Sequence, residues 1–188
     1  MALPIILASA SPARLELLQK LGIVPDEVIP SDVEETILKK EKPRLFAARM
    51  SLEKAKNVAD RLERGIVIGA DTVPVCRNKI MRKTITDEDV KNSLEMLSQR
   101  RHRVYTGVTV IRKDGDNLEI RTKTVETLLK FKKLNYHEIN QYCLTKEGIG
   151  KAGGYSLSGY AESFVTFMSG SFSNVVGLPL YETSIMLK

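Results

Sequence analysis

A chain of 188 residues, 43% hydrophobic and 28% charged, is long enough to bury a sizeable core and has the balance of an ordinary globular protein. Its net charge of +6 sits largely in Lys39-Lys40-Glu41-Lys42, Arg100-Arg101-His102-Arg103 and Lys130-Phe131-Lys132-Lys133. Such patches draw nucleic acid or a small polyanion, but only 6% aromatic residues and no recognised DNA- or RNA-binding motif argue against nucleic acid. No apolar stretch approaches the roughly 20 residues needed to span a bilayer. The first residues carry no basic segment leading into a long apolar core, so no secretory signal is expected. The two cysteines, Cys76 and Cys143, are distant in sequence and suit reduced thiols in a cytoplasm. With only His102 and His137, a histidine-held zinc site is not expected.

In chain order, an apolar strand over 3–8 breaks into Ser9-Ala10-Ser11-Pro12, and a helix is predicted over 12–21. Ser11 suits the N-cap, Pro12 the first helical position and Gly22 the stop, with Leu15, Leu18 and Leu21 as the buried stripe. The amides of that helix start, with the Ser9 and Ser11 hydroxyls, make an anion site. Arg14 stands in the first turn, where the helix dipole disfavours a cation unless an anion is bound. Ordinary capping beside a surface arginine is the plain alternative. Replacing Arg14 by Ala is then expected to cut activity while leaving stability equal or slightly improved.

A strand or loop carries Asp32-Val33-Glu34-Glu35, which by itself reads as a solvated acidic turn. A long helix is predicted from Pro43 to Arg64, with a stripe of Leu45, Ala48, Leu52, Ala55, Ala59 and Leu62. Lys54 falls well off that stripe, as a surface lysine does. Ile66-Val67-Ile68-Gly69-Ala70 reads as a strand buried on both faces, ending at Asp71. In open α/β sheets ligands bind off the carboxyl ends of such strands, so Asp71 is either a turn cap or a functional carboxylate. Thr72 offers either β-branched packing or a hydroxyl donor. A hairpin follows around Arg77-Asn78-Lys79, and Lys83 beyond it reads as an exposed basic residue.

Thr86-Asp87-Glu88-Asp89 is a capping-box start for a helix carrying Val90, Leu94 and Leu97. Strands near 104–112 and 118–129 flank a hairpin loop at 113–117, and a helix covers about 135–144. Seven of the twelve glycines fall between Gly148 and Gly177. Phe164, Val165, Phe167, Val175 and Val176 among them argue for packed structure rather than a linker. A last helix follows Pro179. The alternation is that of a mixed α/β protein.

Ile6-Leu7-Ala8-Ser9 with Ser11-Pro12, Ile68-Gly69-Ala70-Asp71-Thr72, Tyr105-Thr106-Gly107-Val108, Lys151-Ala152-Gly153-Gly154-Tyr155 and Asn174-Val175-Val176-Gly177-Leu178-Pro179 resemble the motifs of the Maf proteins. These are also called septum formation inhibitors and act as nucleoside triphosphate pyrophosphatases. The motifs run in the family's order from Leu3 to Leu180, which makes the resemblance specific. It implies a single Maf-like domain over 1–188: an α/β fold with a mixed twisted central sheet, flanking helices and two lobes around a cleft, similar to inosine triphosphatase. It implies hydrolysis of nucleoside triphosphates to monophosphate and pyrophosphate, with Asp71 as proton acceptor and Arg14, Lys54 and Lys83 as cations on phosphate. Ser9, Ser11 and Thr72 join as hydroxyl donors to substrate. Glu35 matches the second glutamate of the family's acidic motif and, with Asp71, is a candidate ligand for a divalent cation, Mg2+ or Mn2+. A homodimer stays open.

The chain departs from the family pattern at three places. Ala13 stands where many members have a second arginine, Arg82-Lys83-Thr84 where Glu-Lys-Pro is common, and Ser158 where a glutamine is common. That last position is linked with the pocket of members that prefer thymidine and uridine triphosphates, so Ser158 leaves the base preference open between pyrimidine and non-standard nucleotides. A cell-division regulator acting by nucleic-acid or protein binding, and a nucleotide sensor without turnover, are the competing readings.

Overall fold

Strand β1 (Ile5–Ala8) runs parallel to β3 (Arg64–Cys76), with Ile5 beside Ile66 and Ala8 beside Gly69, and parallel on its other side to the short β2 (Glu27–Val28). The structure, a computed structural model, describes residues 2–188. A seven-stranded mixed sheet takes the order β2-β1-β3-β5-β6-β7, and β4 (Lys79–Ile80) pairs off that path with β3. Here β5 is Arg101–Asp114, β6 is Asn117–Phe131 and β7 is Val165–Ser169. The last pair is antiparallel, Leu128 opposite Ser169. Helices α1 (Pro12–Lys20), α2 (Pro43–Ala59), α3 (Asp87–Leu97), α4 (Tyr136–Thr145), α5 (Phe172–Val176) and α6 (Leu180–Met186) complete the α/β architecture. Among the described residues no helix is long and apolar enough to cross a membrane.

The chain divides into two compact units. One takes the chain up to Asp71, Thr106–Val125 and Gly177–Lys188; the other takes Thr72–Tyr105 and Glu126–Val176. The first has a core of Ile6, Ala8, Ala55, Val58, Val67 and Ile111. The second has an aromatic core in which Phe131, Tyr142, Tyr155 and Phe164 pack with Leu94 and Leu97. In that unit Tyr155, Leu157, Phe164 and Val175 are buried, so the glycine-rich stretch is packed structure, although Phe167 is 43% exposed on β7.

Local signals act where they were expected. Gly22 takes φ +73, its N–H donating to Gln19 O at 2.8 Å while Ile23 N–H reaches Leu18 O at 3.3 Å, the paired bonds that stop a helix at a left-handed residue. Arg77 and Asn78, at φ 51 and 61, form a two-residue turn that joins β3 to β4. Thr86 and Asn135 both sit in capping boxes, closed by Asp89 and Glu138.

Helix α2 differs from its sequence pattern in length and in orientation. It ends at Ala59 rather than Arg64, because the chain must turn and enter β3 at Arg64. Its buried face is Phe46, Ala47, Met50, Ser51, Lys54, Ala55, Val58 and Ala59, and Leu45 is 60% exposed. The reason is close approach to the sheet. A Cβ on Gly69 would lie 2.6 Å from Ser51 O and 2.7 Å from Ala55 N, and one on Gly107 would collide with the Ala47 carbonyl. Contact that close selects small residues, so counting large apolar side chains finds the wrong stripe. Helix α1 likewise buries Leu17 and Leu18, leaving Leu15 and Leu21 half-buried.

Candidate active site

Asp71 does not end its strand. β3 runs on to Cys76 because it turns there into the hairpin with β4. The parallel pairing with β1 stops at Gly69, so Asp71 stands two residues beyond it, past the carboxyl end of β1. The side chain is 7% exposed and its partner is Lys54, itself 8% exposed. Lys54 Nζ donates to Asp71 Oδ1 at 2.5 Å and to Glu35 Oε1 at 2.6 Å. The expected surface lysine is therefore a buried one. The close approach at Gly69 explains its reach: Ser51 and Ala55, which flank Lys54 on the helix, lie against that glycine. A glycine inside a strand signals such an approach, and that signal was available in the sequence.

Glu35 arrives from a segment without regular structure between β2 and α2, and its side chain, 36% exposed, reaches Lys54. Asp71 and Glu35 thus bring carboxylate oxygens to one ammonium. Of the three, only Lys54 and Asp71 are buried, and breaking a buried pair by removing one partner typically costs about 3–5 kcal/mol.

At the start of α1, Ser9 is buried and its Oγ accepts from Ser11 N–H at 3.2 Å and from Arg14 Nη1 at 3.1 Å. Arg14 Nε also donates to Gly177 O at 2.9 Å. Burial draws the Arg14 guanidinium down from its ordinary pKa, against the opposing pull of Asp71 and then Glu35. Ser9, Arg14, Glu35, Lys54 and Asp71 therefore form one polar group in the first unit. Ser11 occupies the N-cap position, but its side chain caps nothing; Arg14 N–H goes to the Ser11 carbonyl at 3.2 Å instead. Sequence reasoning missed Gly177 as the acceptor. That bond also alters the expectation for Arg14→Ala, because losing the donor to a backbone carbonyl costs stability.

The other sequence candidates belong to the second unit. Thr72 is half-buried in β3, directly after Asp71. Lys83 is exposed, in a segment laced to the glycine-rich loop: Lys83 bridges Ala152, Thr84 N–H donates to Lys151 O at 3.2 Å, and Thr84 Oγ1 to Gly148 O at 2.5 Å. Ser158 is exposed.

Asp71 and Glu35 offer only hard oxygen donors, with no imidazole or thiolate in the set. Among the described residues no three His, Cys, Asp or Glu side chains gather as a complete cage. A pair of carboxylates converging on one cation is what Mg2+ or Mn2+ takes from a protein when phosphate and water oxygens fill the other positions. The residues fit such an ion.

The profile of the Maf-like protein family matches residues 4–188. A nucleoside triphosphate pyrophosphatase of Rickettsia rickettsii is 54% identical over 182 residues, covering 96% of this chain and 85% of that protein. One from Rickettsia akari is 52% identical over 183 residues, covering 97% and 91%. Among solved structures, the Ham1 protein of Staphylococcus aureus aligns at 18% identity and a TM-score of 0.45, over 68% of this chain and 71% of that one. The match to the family profile and the identity to the rickettsial proteins agree over nearly the whole length: the chain belongs to the Maf-like protein family.

Proposed function

We propose that the chain is a nucleoside triphosphate pyrophosphatase, releasing a nucleoside monophosphate and pyrophosphate, and that residues 1–188 work as one Maf-like domain. The observation that carries the reading is the buried ammonium of Lys54 on the carboxylates of Asp71 and Glu35, in the electrostatic reach of Arg14. A cation and an arginine suit a polyphosphate, and a buried carboxylate suits the proton of an attacking water. The 54% identity to a protein named for this activity supports it independently.

In this reading water adds to the α-phosphorus, the bond from that phosphorus to the bridging oxygen breaks, and pyrophosphate leaves with that oxygen. Asp71 accepts the proton of the water. Lys54 moves from the carboxylates to phosphate oxygens as the triphosphate enters. Arg14, held by Gly177 O, and the Ser9 hydroxyl, fixed by two donors, orient the phosphates without needing to rearrange. Asp71 and Glu35 would hold the divalent cation, Mg2+ or Mn2+, which supplies charge neutralisation on the phosphates when bound. Ser11 and Thr72 offer hydroxyl donors to substrate, Lys83 is a further catalytic cation on phosphate by the family resemblance, and Ser158 leaves a pyrimidine or a non-standard base open. A cytoplasmic location completes the proposal, with neither nucleic acid nor membrane as partner, and the choice between monomer and homodimer stays open.

The test is a panel of standard and non-standard nucleoside triphosphates, incubated with the protein and Mg2+ or Mn2+, with pyrophosphate and monophosphate as the products measured. Release of orthophosphate, or no product from any nucleotide, overturns the reading. Full activity after exhaustive chelation overturns the metal assignment alone.

A further inference from the structure

Glu35 stands on a segment that no sheet or helix ladder holds, yet its carboxylate meets Lys54 Nζ at 2.6 Å. Two side chains of α2 grip that segment on either side of it. Before Glu35, the Asn57 amide pairs with the backbone of Asp32 in both directions: Asp32 N–H donates to Asn57 Oδ1 at 3.2 Å, and Asn57 Nδ2 donates to Asp32 O at 3.2 Å. After Glu35, Arg49 Nη2 donates to Thr36 O at 2.8 Å.

Arg49 does more than touch Thr36. Its Nε and Nη2 take both oxygens of Glu41 at 2.7 Å each, and its Nη1 takes Glu53 Oε1 at 3.0 Å. Glu41 Oε2 in turn accepts Leu38 N–H at 3.0 Å. The fork therefore gathers the 36–41 loop onto the helix through its carbonyl at one end and its carboxylate at the other. Bidentate bonding holds Glu41 below the usual carboxylate range and raises Arg49. The spacing is helical: 49, 53 and 57 are four residues apart and lie on one face, and Lys54 stands between the two grips.

We propose that Arg49 and Asn57 are positioning residues, which set the Glu35 carboxylate beside Lys54 and Asp71 by clamping its loop to the helix that carries Lys54. The inference rests on the reading of Glu35 as a ligand of the divalent cation. A lysine at 49 does not replace the fork, because an ammonium cannot take both Glu41 oxygens and the Thr36 carbonyl in one plane.

The test is Mn2+ binding to the whole protein without nucleotide, followed by electron paramagnetic resonance, for the wild type, Glu35→Gln, Arg49→Met, Arg49→Lys, Asn57→Ala and Glu35→Gln with Asn57→Ala. Groups that orient metal ligands typically change affinity by about 10–100-fold. Arg49→Met and Asn57→Ala are each expected to weaken Mn2+ binding about tenfold, Arg49→Lys to recover only part, and Asn57→Ala to add nothing once Glu35 is Gln. Asn57 is half-buried at the helix surface, so its variant carries the test where Arg49→Met fails to fold. Wild-type binding in folded Asn57→Ala, or a full further loss in the double variant, overturns the positioning role while leaving Glu35 a ligand. Binding untouched by Glu35→Gln overturns the reading of Glu35, and this inference with it.

Discussion

In the first unit a lysine and an aspartate are buried against each other, Lys54 at 8% exposure and Asp71 at 7%, with Glu35 completing the contact. In the second a histidine at 2% exposure is buried against a tyrosine hydroxyl, His102 Nε2 lying 2.9 Å from Tyr155 Oη. Burial pushes His102 down to about 4, so the ring is neutral at pH 7. Phe131 and Tyr155 meet it edge-on, with centroids at 5.0 and 5.6 Å. A buried ion pair contributes little net stability, since desolvation offsets most of the attraction. A neutral polar pair inside an aromatic cluster contributes through packing and one hydrogen bond. The two arrangements therefore differ in kind: charge is buried at the group proposed to handle phosphate, and neutral polarity is buried inside the aromatic core of the second unit.

The largest effect expected from breaking that distinction is at Asp71. Asp71→Asn keeps the size of the side chain and removes its charge, while Lys54 keeps Glu35 as partner. Turnover is expected to fall about 1,000-fold, roughly 4 kcal/mol in the barrier, with the protein still folded by circular dichroism. Pyrophosphate release within a few-fold of wild type would show that the buried pair is structural after all.

His102 gives the complementary effect, on stability and with a pH signature. At pH 7 the ring is neutral in the folded chain and mostly neutral in the unfolded one, so it contributes little to the pH slope. Below the ordinary value of 6.5 the unfolded chain takes up a proton that the folded one refuses until about 4, so stability falls as acid is added. The full loss is on the order of 3 kcal/mol by pH 4. His102→Gln has no such proton to take up, and its urea midpoint is expected to fall less between pH 6.5 and 4. Parallel curves for the two proteins would mean that other groups set the acid limit.

Much of this was legible in the sequence, and the failures share a cause. Gly22, the Arg77-Asn78 turn and the Thr86 capping box are local signals whose physics needs no tertiary partner, and each acts as read. Arg14, Ser9 and Asp71 were visible as charges or hydroxyls at strand and helix ends. Lys54 is legible only through the family resemblance and not from periodicity, because the buried face of α2 is set by two glycines on the sheet rather than by large apolar side chains on the helix. Asp71 was misplaced at a strand end because β3 changes from parallel pairing with β1 to antiparallel pairing with β4 within one continuous strand. Arg49 and Asn57 looked like ordinary polar helix residues, since nothing local records which loop they hold.

Gly69→Ala sharpens the comparison from the packing side of the first unit. The new methyl would lie 2.6 Å from Ser51 O and 2.7 Å from Ala55 N, both backbone atoms of α2 that give only if the helix moves. Overpacking of this kind costs about 2 kcal/mol, and turnover is expected to fall with stability because Lys54 rides on the displaced helix. Thermal midpoint and pyrophosphate release measured together check it; a destabilised variant with full turnover would separate Lys54 from the site.

The smallest expected effect lies in the second unit and should touch stability alone. Thr86 Oγ1 accepts from Asp89 N–H at 3.1 Å, and Asp89 Oδ2 accepts from Thr86 N–H at 2.9 Å and Ile85 N–H at 3.0 Å. These bonds hold Asp89 below the usual carboxylate range. Thr86→Ala removes one acceptor from the start of α3 and leaves the Asp89 half of the box in place. The expected cost is about 1 kcal/mol, seen as a lower urea midpoint with an unchanged slope. The kcat and KM for nucleotide should stay at wild-type values, because the helix start carries none of the charged groups proposed to meet substrate. A kcat reduced tenfold with so small a loss of stability would show that α3 is coupled to the chemistry, and that this helix start does more than support the fold of its unit.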